Sequence, residues 1–243
     1  MKENSKKTLS VKAIVIILSV VVALIGLVVA GVILLKPENE TKQIQGEDFK
    51  LNIDTFESRE IAEGLQINYV GDYSGVFFED GSDEIVSSIL MIELENTSDK
   101  DLQLARINAL TEDSVAQFEA TNIPAGESVI LLEKNRMKAG NKNIYDFSVD
   151  NLVFFSEKMD TMENSFSVKI ADGYLELTNT GDKDTEGIIY IYYKNTVDGT
   201  LYGGITYRAT INDIIKKGDV ARVVTNHCTD SNTKIVEIVN VTG

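Results

Sequence analysis

Residues 13–35, AIVIILSVVVALIGLVVAGVILL, form an unbroken apolar run bounded by Lys12 and Lys36. A helix of that length rises to about 34 Å, enough to cross the hydrocarbon core of a bilayer with some tilt. Backbone polar groups find no water there, so a lone segment can span only as a helix. A cleavable signal would have a shorter apolar region ending in a small-x-small site. Here Ala30-Gly31 is followed by Val32, Ile33, Leu34 and Leu35, which favours an uncleaved signal anchor. Lys2, Lys6, Lys7 and Lys12 precede the run against a single Glu3, and mixed, mostly acidic residues follow it. A lysine excess beside the first span holds that end in the cytoplasm. The expected layout is a cytoplasmic tail (1–12), a transmembrane helix (13–35), a polar linker (36–47) and extracytoplasmic folded mass. It describes a single-pass protein of the cell membrane.

The formal charge of −15 is unevenly placed, since the leading twelve residues carry +3, the apolar run none and the remainder −18. An exterior this acidic repels nucleic acid, so no nucleic-acid partner is expected. Cys228 is the one cysteine, which excludes an intrachain disulfide. Disulfide-free extracellular domains of this size point to a bacterial surface, where the core alone carries stability.

Beyond the linker, period-two alternation dominates. Leu65, Ile67 and Tyr69 alternate with polar neighbours, as do Leu90, Ile92 and Leu94, then Leu102 and Leu104. Val129–Leu132 and Ile144–Phe155 add short apolar runs, and Glu79–Asp83, Asn96–Asp99 and Pro124–Gly126 punctuate them. A second set follows: Phe166–Ile170, Tyr174–Leu177, Ile188–Tyr193, Ile205–Ile211, Val220–Val224 and Ile235–Val241. Asp198-Gly199 is a hairpin-turn signal within it. Short strands at this spacing predict an all-β fold, two tandem immunoglobulin-like β-sandwiches over 48–157 and 158–243. One merged double sheet is the alternative.

The two sets are related. Leu94-Glu95-Asn96-Thr97-Ser98-Asp99-Lys100-Asp101 recurs as Leu177-Thr178-Asn179-Thr180-Gly181-Asp182-Lys183-Asp184, 83 positions later. Ala125-Gly126-Glu127-Ser128-Val129 is echoed by Lys217-Gly218-Asp219-Val220, about 92 positions later. The difference fits a longer hairpin around Asp198-Gly199 in the second copy. This strand, Asn-Thr turn, strand, Gly-acidic turn, strand pattern resembles the immunoglobulin-like sandwiches of bacterial surface proteins, the FxLYD and CARDB families nearest. The match is best over 172–226 and weaker over 88–134, and Tyr190-Ile191-Tyr192-Tyr193 stands where the Phe-x-Leu-Tyr-Asp signature belongs. The resemblance implies a non-catalytic adhesion or assembly module and brings no site residues.

No residue pattern supports catalysis or a cofactor. His227 and Cys228 adjoin, and in a strand their side chains would point to opposite faces, which defeats a thiolate–imidazole pair. One His and one Cys cannot furnish a zinc site. Loop acids at Glu79–Glu84 are the type a calcium ion prefers, but they lack EF-hand spacing. With no phosphate loop and no serine triad, the chain is not expected to be an enzyme.

Tyrosines gather in the second copy's hairpin. Tyr190 and Tyr192 are expected in the core. Tyr193, Tyr202 and Tyr207 are the candidate partner contacts, because tyrosine buries area while keeping a polar tip. The hairpin from Asn195 to Gly204 is weakly charged and either presents Tyr202 to a partner or folds onto its own sheet. The expected function is a membrane-anchored binding, adhesion or assembly module with an unidentified protein or cell-envelope partner. Alternatives are a scaffold subunit of a transport or secretion complex and, more remotely, a cell-wall hydrolase.

Overall fold

A computed structural model describes residues 56–111, 114–139 and 144–241. The tail, the apolar run, the linker and residues 48–55 lie outside the described residues, so the expected transmembrane helix does too. Among the described residues the fold is all-β, with thirteen strands and no helix.

In chain order the strands are β1 (Arg59–Ala62), β2 (Leu65–Val76), β3 (Ile85–Asn96), β4 (Leu102–Thr111), β5 (Val115–Ile123), β6 (Ser128–Leu132) and β7 (Ile144–Phe154). There follow β8 (Phe166–Ala171), β9 (Tyr174–Asn179), β10 (Ile188–Val197), β11 (Thr200–Ile211), β12 (Val220–Val224) and β13 (Thr233–Val241). Both copies repeat one plan. In the first, β2-β3-β6 face a separate sheet ordered β5-β4-β7; in the second, a separate sheet ordered β12-β9-β8 faces β11-β10-β13. Strand for strand, β2–β7 correspond to β8–β13.

Each copy has its own core. The first packs Leu65, Ile67, Ile92 and Leu94 against Leu102, Ala105, Ile107 and Phe118. The second packs Leu175 and Leu177 against Ile189, Ile191, Ala209 and Ile238. Inward and outward residues alternate as half-buried strands require. In β4, for instance, Leu102, Ala105, Ile107 and Ala109 are buried while Gln103, Arg106 and Leu110 are exposed.

The strands on either side of residue 157 nevertheless share a sheet. Seven strands run β1-β2-β3-β6-β11-β10-β13, joined where β6 and β11 pair in parallel through Val129↔Leu201 and Ile130↔Tyr202. The β10–β11 hairpin carries Leu201 into the first core; it is only two residues longer than β4–β5, and the rest of the second copy's extra length lies in the loops before β10 and after β11. Leu201 pairs with Thr196 in β10, one step out of phase with the inward Tyr193. The two cores therefore lie on opposite faces of the shared sheet. The described residues belong to one compact unit.

The repeated Asn-Thr turn is a hydrogen-bonded corner built twice. Asn96, fully buried, donates from Nδ2 to Lys100 O (2.9 Å), Ile123 O (3.1 Å) and Pro124 O (3.2 Å). Asn179 donates likewise to Lys183 O (2.8 Å) and Ile215 O (2.9 Å). Their Oδ1 atoms accept from Ser98 N and Gly181 N, and their backbone N–H groups reach Glu127 O and Asp219 O. Asp101 and Asp184 then accept from Ala125 N (2.8 Å) and Lys217 N (2.9 Å). All these partners but Pro124 O recur at the two sequence displacements, so the same side chain solves the same problem of stranded turn carbonyls. Asn96→Ala and Asn179→Ala should each destabilise by about 2–4 kcal/mol, because buried carbonyls lose their donor. Thermal unfolding of both variants checks this, with Asn96→Ala the worse; a melting temperature unchanged from wild type would show that the turn backbone suffices.

Candidate functional site

Tyr193, Tyr202 and Tyr207 sit on the β10–β11 hairpin. Its turn is Asp198-Gly199, with φ of 49° and 84° between the paired Val197 and Thr200. Two positive φ values make the tight turn whose twist matches the flanking strands. Further down, the pairs Asn195↔Tyr202 and Tyr193↔Tyr207 leave Gly203, Gly204, Ile205 and Thr206 opposite Lys194 alone. A bulge this wide strips β11 of ladder hydrogen bonds. Lys194 supplies substitutes. Its Nζ lies 3.2 Å from Gly203 O, 3.2 Å from Gly204 O, 2.7 Å from Ile205 O and 3.3 Å from Thr206 Oγ1.

Lys194 is wholly buried, and that burial brings its ammonium down to about 7 against the opposing pull of Glu79. Glu79, in the loop after β2, is the matching acid. Its Oε1 accepts from Leu132 N of β6 and its Oε2 from Gly204 N of β11, each at 2.8 Å, so the carboxylate staples both sides of the seam. Burial raises it to about 7, although the two backbone donors, Lys194 and Lys134 favour its charge. Charged groups are expensive to desolvate, and here that expense exceeds the partners' attraction.

The hairpin is folded inward. Tyr202 packs against Phe78 (4.9 Å between ring centroids) and Tyr73 (5.6 Å). A Cβ on Gly203 would stand 2.9 Å from Phe78 Cβ, and one on Gly204 only 1.7 Å from Glu119 O. These glycines admit close approach, but by the chain's own strands. Thr121 Oγ1 completes the joint by donating to Gly204 O at 2.8 Å. Beside it, Tyr207 is stacked between Tyr193 (5.4 Å) and His227 (4.5 Å), and His227 Nδ1 lies 3.3 Å from Asp83 Oδ2.

This placement corrects the tyrosine expectations. Tyr193 and Tyr202 are each 3% exposed, so neither offers a surface to a partner. Tyr207 is half-buried between two rings. Tyr190 and Tyr192, expected inside, are half-exposed on the other face. Both phases of Ile189-Tyr190-Ile191-Tyr192-Tyr193 are apolar, so alternation alone could not choose between them; the second core takes Ile189, Ile191 and Tyr193. Tyr190 and Tyr192 lie 6.4 Å apart by ring centroid, and the Arg208 guanidinium sits 4.9 Å over Tyr190.

Comparison with family models, curated proteins and solved structures finds no match.

Cys228 is buried in the second core, and burial raises its thiol, which disfavours the nucleophilic thiolate. Its neighbour His227 turns away to Tyr207 and Asp83 in a bend rather than a strand. The loop acids are engaged within the chain: Asp80 and Glu84 with Arg136, Asp83 with His227, Glu79 with backbone N–H groups. Among the described residues no group of three His, Cys, Asp or Glu side chains could hold a metal ion. Sequence reasoning missed Lys194 altogether and read Glu79 only as a loop acid. The available signal was a lysine inside an otherwise apolar strand, Ile188 to Tyr193 running into Lys194.

Proposed function

We propose that the chain is a membrane-anchored, extracytoplasmic binding or assembly module without catalytic activity, built on two fused immunoglobulin-like sandwiches. In each copy the first, second and fifth strands form one layer, and the third, fourth and sixth the other. That grouping resembles the A-B-E and C-F sets of immunoglobulin-like sandwiches. The anchor rests on residues 13–35 and their flanking lysines.

The observation that carries the binding role is the outward face of β10 and β11. There Tyr190, Tyr192 and Arg208 form a contiguous half-exposed to exposed group. Tyrosine and arginine dominate the energetics of protein interfaces, and this face bears them together on a chain of net charge −15. The test has two arms. Protease added to intact protoplasts should trim the chain to a membrane-held stub, and full protection would overturn the topology. Partners captured by the full-length chain should be lost with Tyr190→Ser/Arg208→Ala while the melting temperature holds. Unaltered capture would remove this face from the reading. Loss of every partner on deletion of residues 13–35 would favour a subunit of a membrane complex.

A further inference from the structure

The outer edges of β6 and β12 hold the same place in the two copies, and only one of them is covered. β6 has β3 on one side and β11 on the other, whereas β12 ends its sheet with β9 as its single neighbour. The ladders correspond residue for residue. Leu132 pairs with Met91 and Ile130 with Glu93, as Val224 pairs with Tyr174 and Arg222 with Glu176. Asp219 O and Thr225 N bond towards β9 and its turn. The backbone groups alternate from there, so Val220, Arg222 and Val224 turn their N–H and C=O groups away from the sheet.

In the first copy the matching groups are taken. β11 runs parallel to β6 with Tyr202 beside Ile130, and Leu132 N donates to the Glu79 carboxylate at 2.8 Å. The loop of residues 77–84 brings Glu79 there, together with the buried Phe77 and Phe78. The second copy has no such loop, because Asp172-Gly173 alone joins β8 to β9. Met91, Ile130 and Leu132 are accordingly buried, while Val220 and Val224 stand 56% and 77% exposed. Open edges invite strand addition and are ordinarily blunted by charge. Here the one charged side chain of β12 is folded back, with the Arg222 guanidinium 3.4 Å over the Tyr174 ring of β9.

We propose that the β12 edge is a strand-addition site for an acidic extended segment of a partner protein, entering parallel to β12 as β11 enters beside β6. Main-chain bonds supply the affinity in such pairing, and alternate side chains supply the specificity. The acidic character follows from what the edge offers. Val224 N–H stands where Leu132 N–H meets a carboxylate. Lys216, Lys217 and Arg222 against Asp219 make residues 216–224 basic in a chain of net charge −15. Lys217 is shared with Asp182 and Glu176 with Lys169, which leaves Lys216 and Arg222 to meet an incoming carboxylate. A second copy of this chain fits less well, since antiparallel pairing of β12 with itself sets Arg222 opposite Arg222. The edge belongs to the sheet facing that of Tyr190, Tyr192 and Arg208, so it is separate from the binding face already proposed.

Amide hydrogen exchange on the purified full-length chain tests the site. The probe is a short blocked peptide alternating valine and glutamate, and the control is its valine–lysine counterpart. At saturation the glutamate peptide should slow exchange at Arg222 N–H and Val224 N–H on the order of tenfold. Ala221 N–H and Val223 N–H, already turned to β9, should be unchanged. Val224→Pro removes an outward N–H and no ladder bond, so it should abolish the protection at a little-changed melting temperature. Arg222→Glu should transfer the preference to the lysine peptide. No protection by the glutamate peptide overturns the proposal, as do equal protection by both peptides and full protection in Val224→Pro. Protection that grows with protein concentration in the absence of peptide assigns the edge to a second copy and overturns it as well.

Discussion

Lys194→Met is expected to destabilise the fold by about 3–5 kcal/mol, a drop of roughly 10 °C in melting temperature. The methionine keeps most of the volume but removes every donor from the bulge, leaving Gly203, Gly204 and Ile205 carbonyls without Nζ. It also leaves the buried Glu79 without its nearby cation. The Glu79→Gln/Lys194→Met double variant should be less harmed than the sum of the single changes, since the two residues share one network. A pH signature separates this from generic core damage. In the wild type, stability should rise between about pH 7 and 10, because the unfolded chain holds a proton on Lys194 that the folded chain has released. Lys194→Met should lose that rise. Denaturant unfolding across this range decides it, and an undiminished slope in the variant would mean that another group supplies it.

Gly204→Ala should be the most damaging single-methyl change, at about 3 kcal/mol or more. The new carbon would fall 1.7 Å from Glu119 O, a backbone atom that no rotamer change can move. Relief requires pulling β5 off β11 and breaking Thr121's bond to Gly204 O. Gly199→Ala is the control. It has φ of +84° and no heavy atom within 4 Å of the added carbon, so only backbone strain of roughly 1–2 kcal/mol applies. Equal losses in the two variants, measured by chemical denaturation, would disprove the close approach.

Alternation located most of the strands, and the Asn-Thr recurrence located both corners, though not the buried Asn96 and Asn179 side chains that bond them. It overlooked β5, because Ala116 and Ala120 flank Phe118 on its buried face and alanine carries no strand signal. It misjudged the tyrosines for a different reason. Facing in β10 depends on which neighbouring layer lies where, and a strand apolar on both sides does not encode that. The seam was invisible for a third reason. Glu79 reads as one more loop acid and Lys194 as one more surface cation until tertiary packing buries both. That the hairpin from Asn195 to Gly204 could fold onto its own sheet was legible, but not that Gly203 and Gly204 would meet Phe78 and Glu119 there.

The shared sheet gives the pair of copies a mechanical character that beads on a flexible string lack. Because the cores sit on opposite faces of one continuous layer, they are offset like courses of brick, each overlapping the joint of the other. Cutting the chain after residue 157 would leave the first course missing Leu201, a stone from its own interior, and would strip the cover from the β6 edge. The continuous layer thus joins the two courses through backbone hydrogen bonds, so a bend at the joint would have to break the β6–β11 pairing.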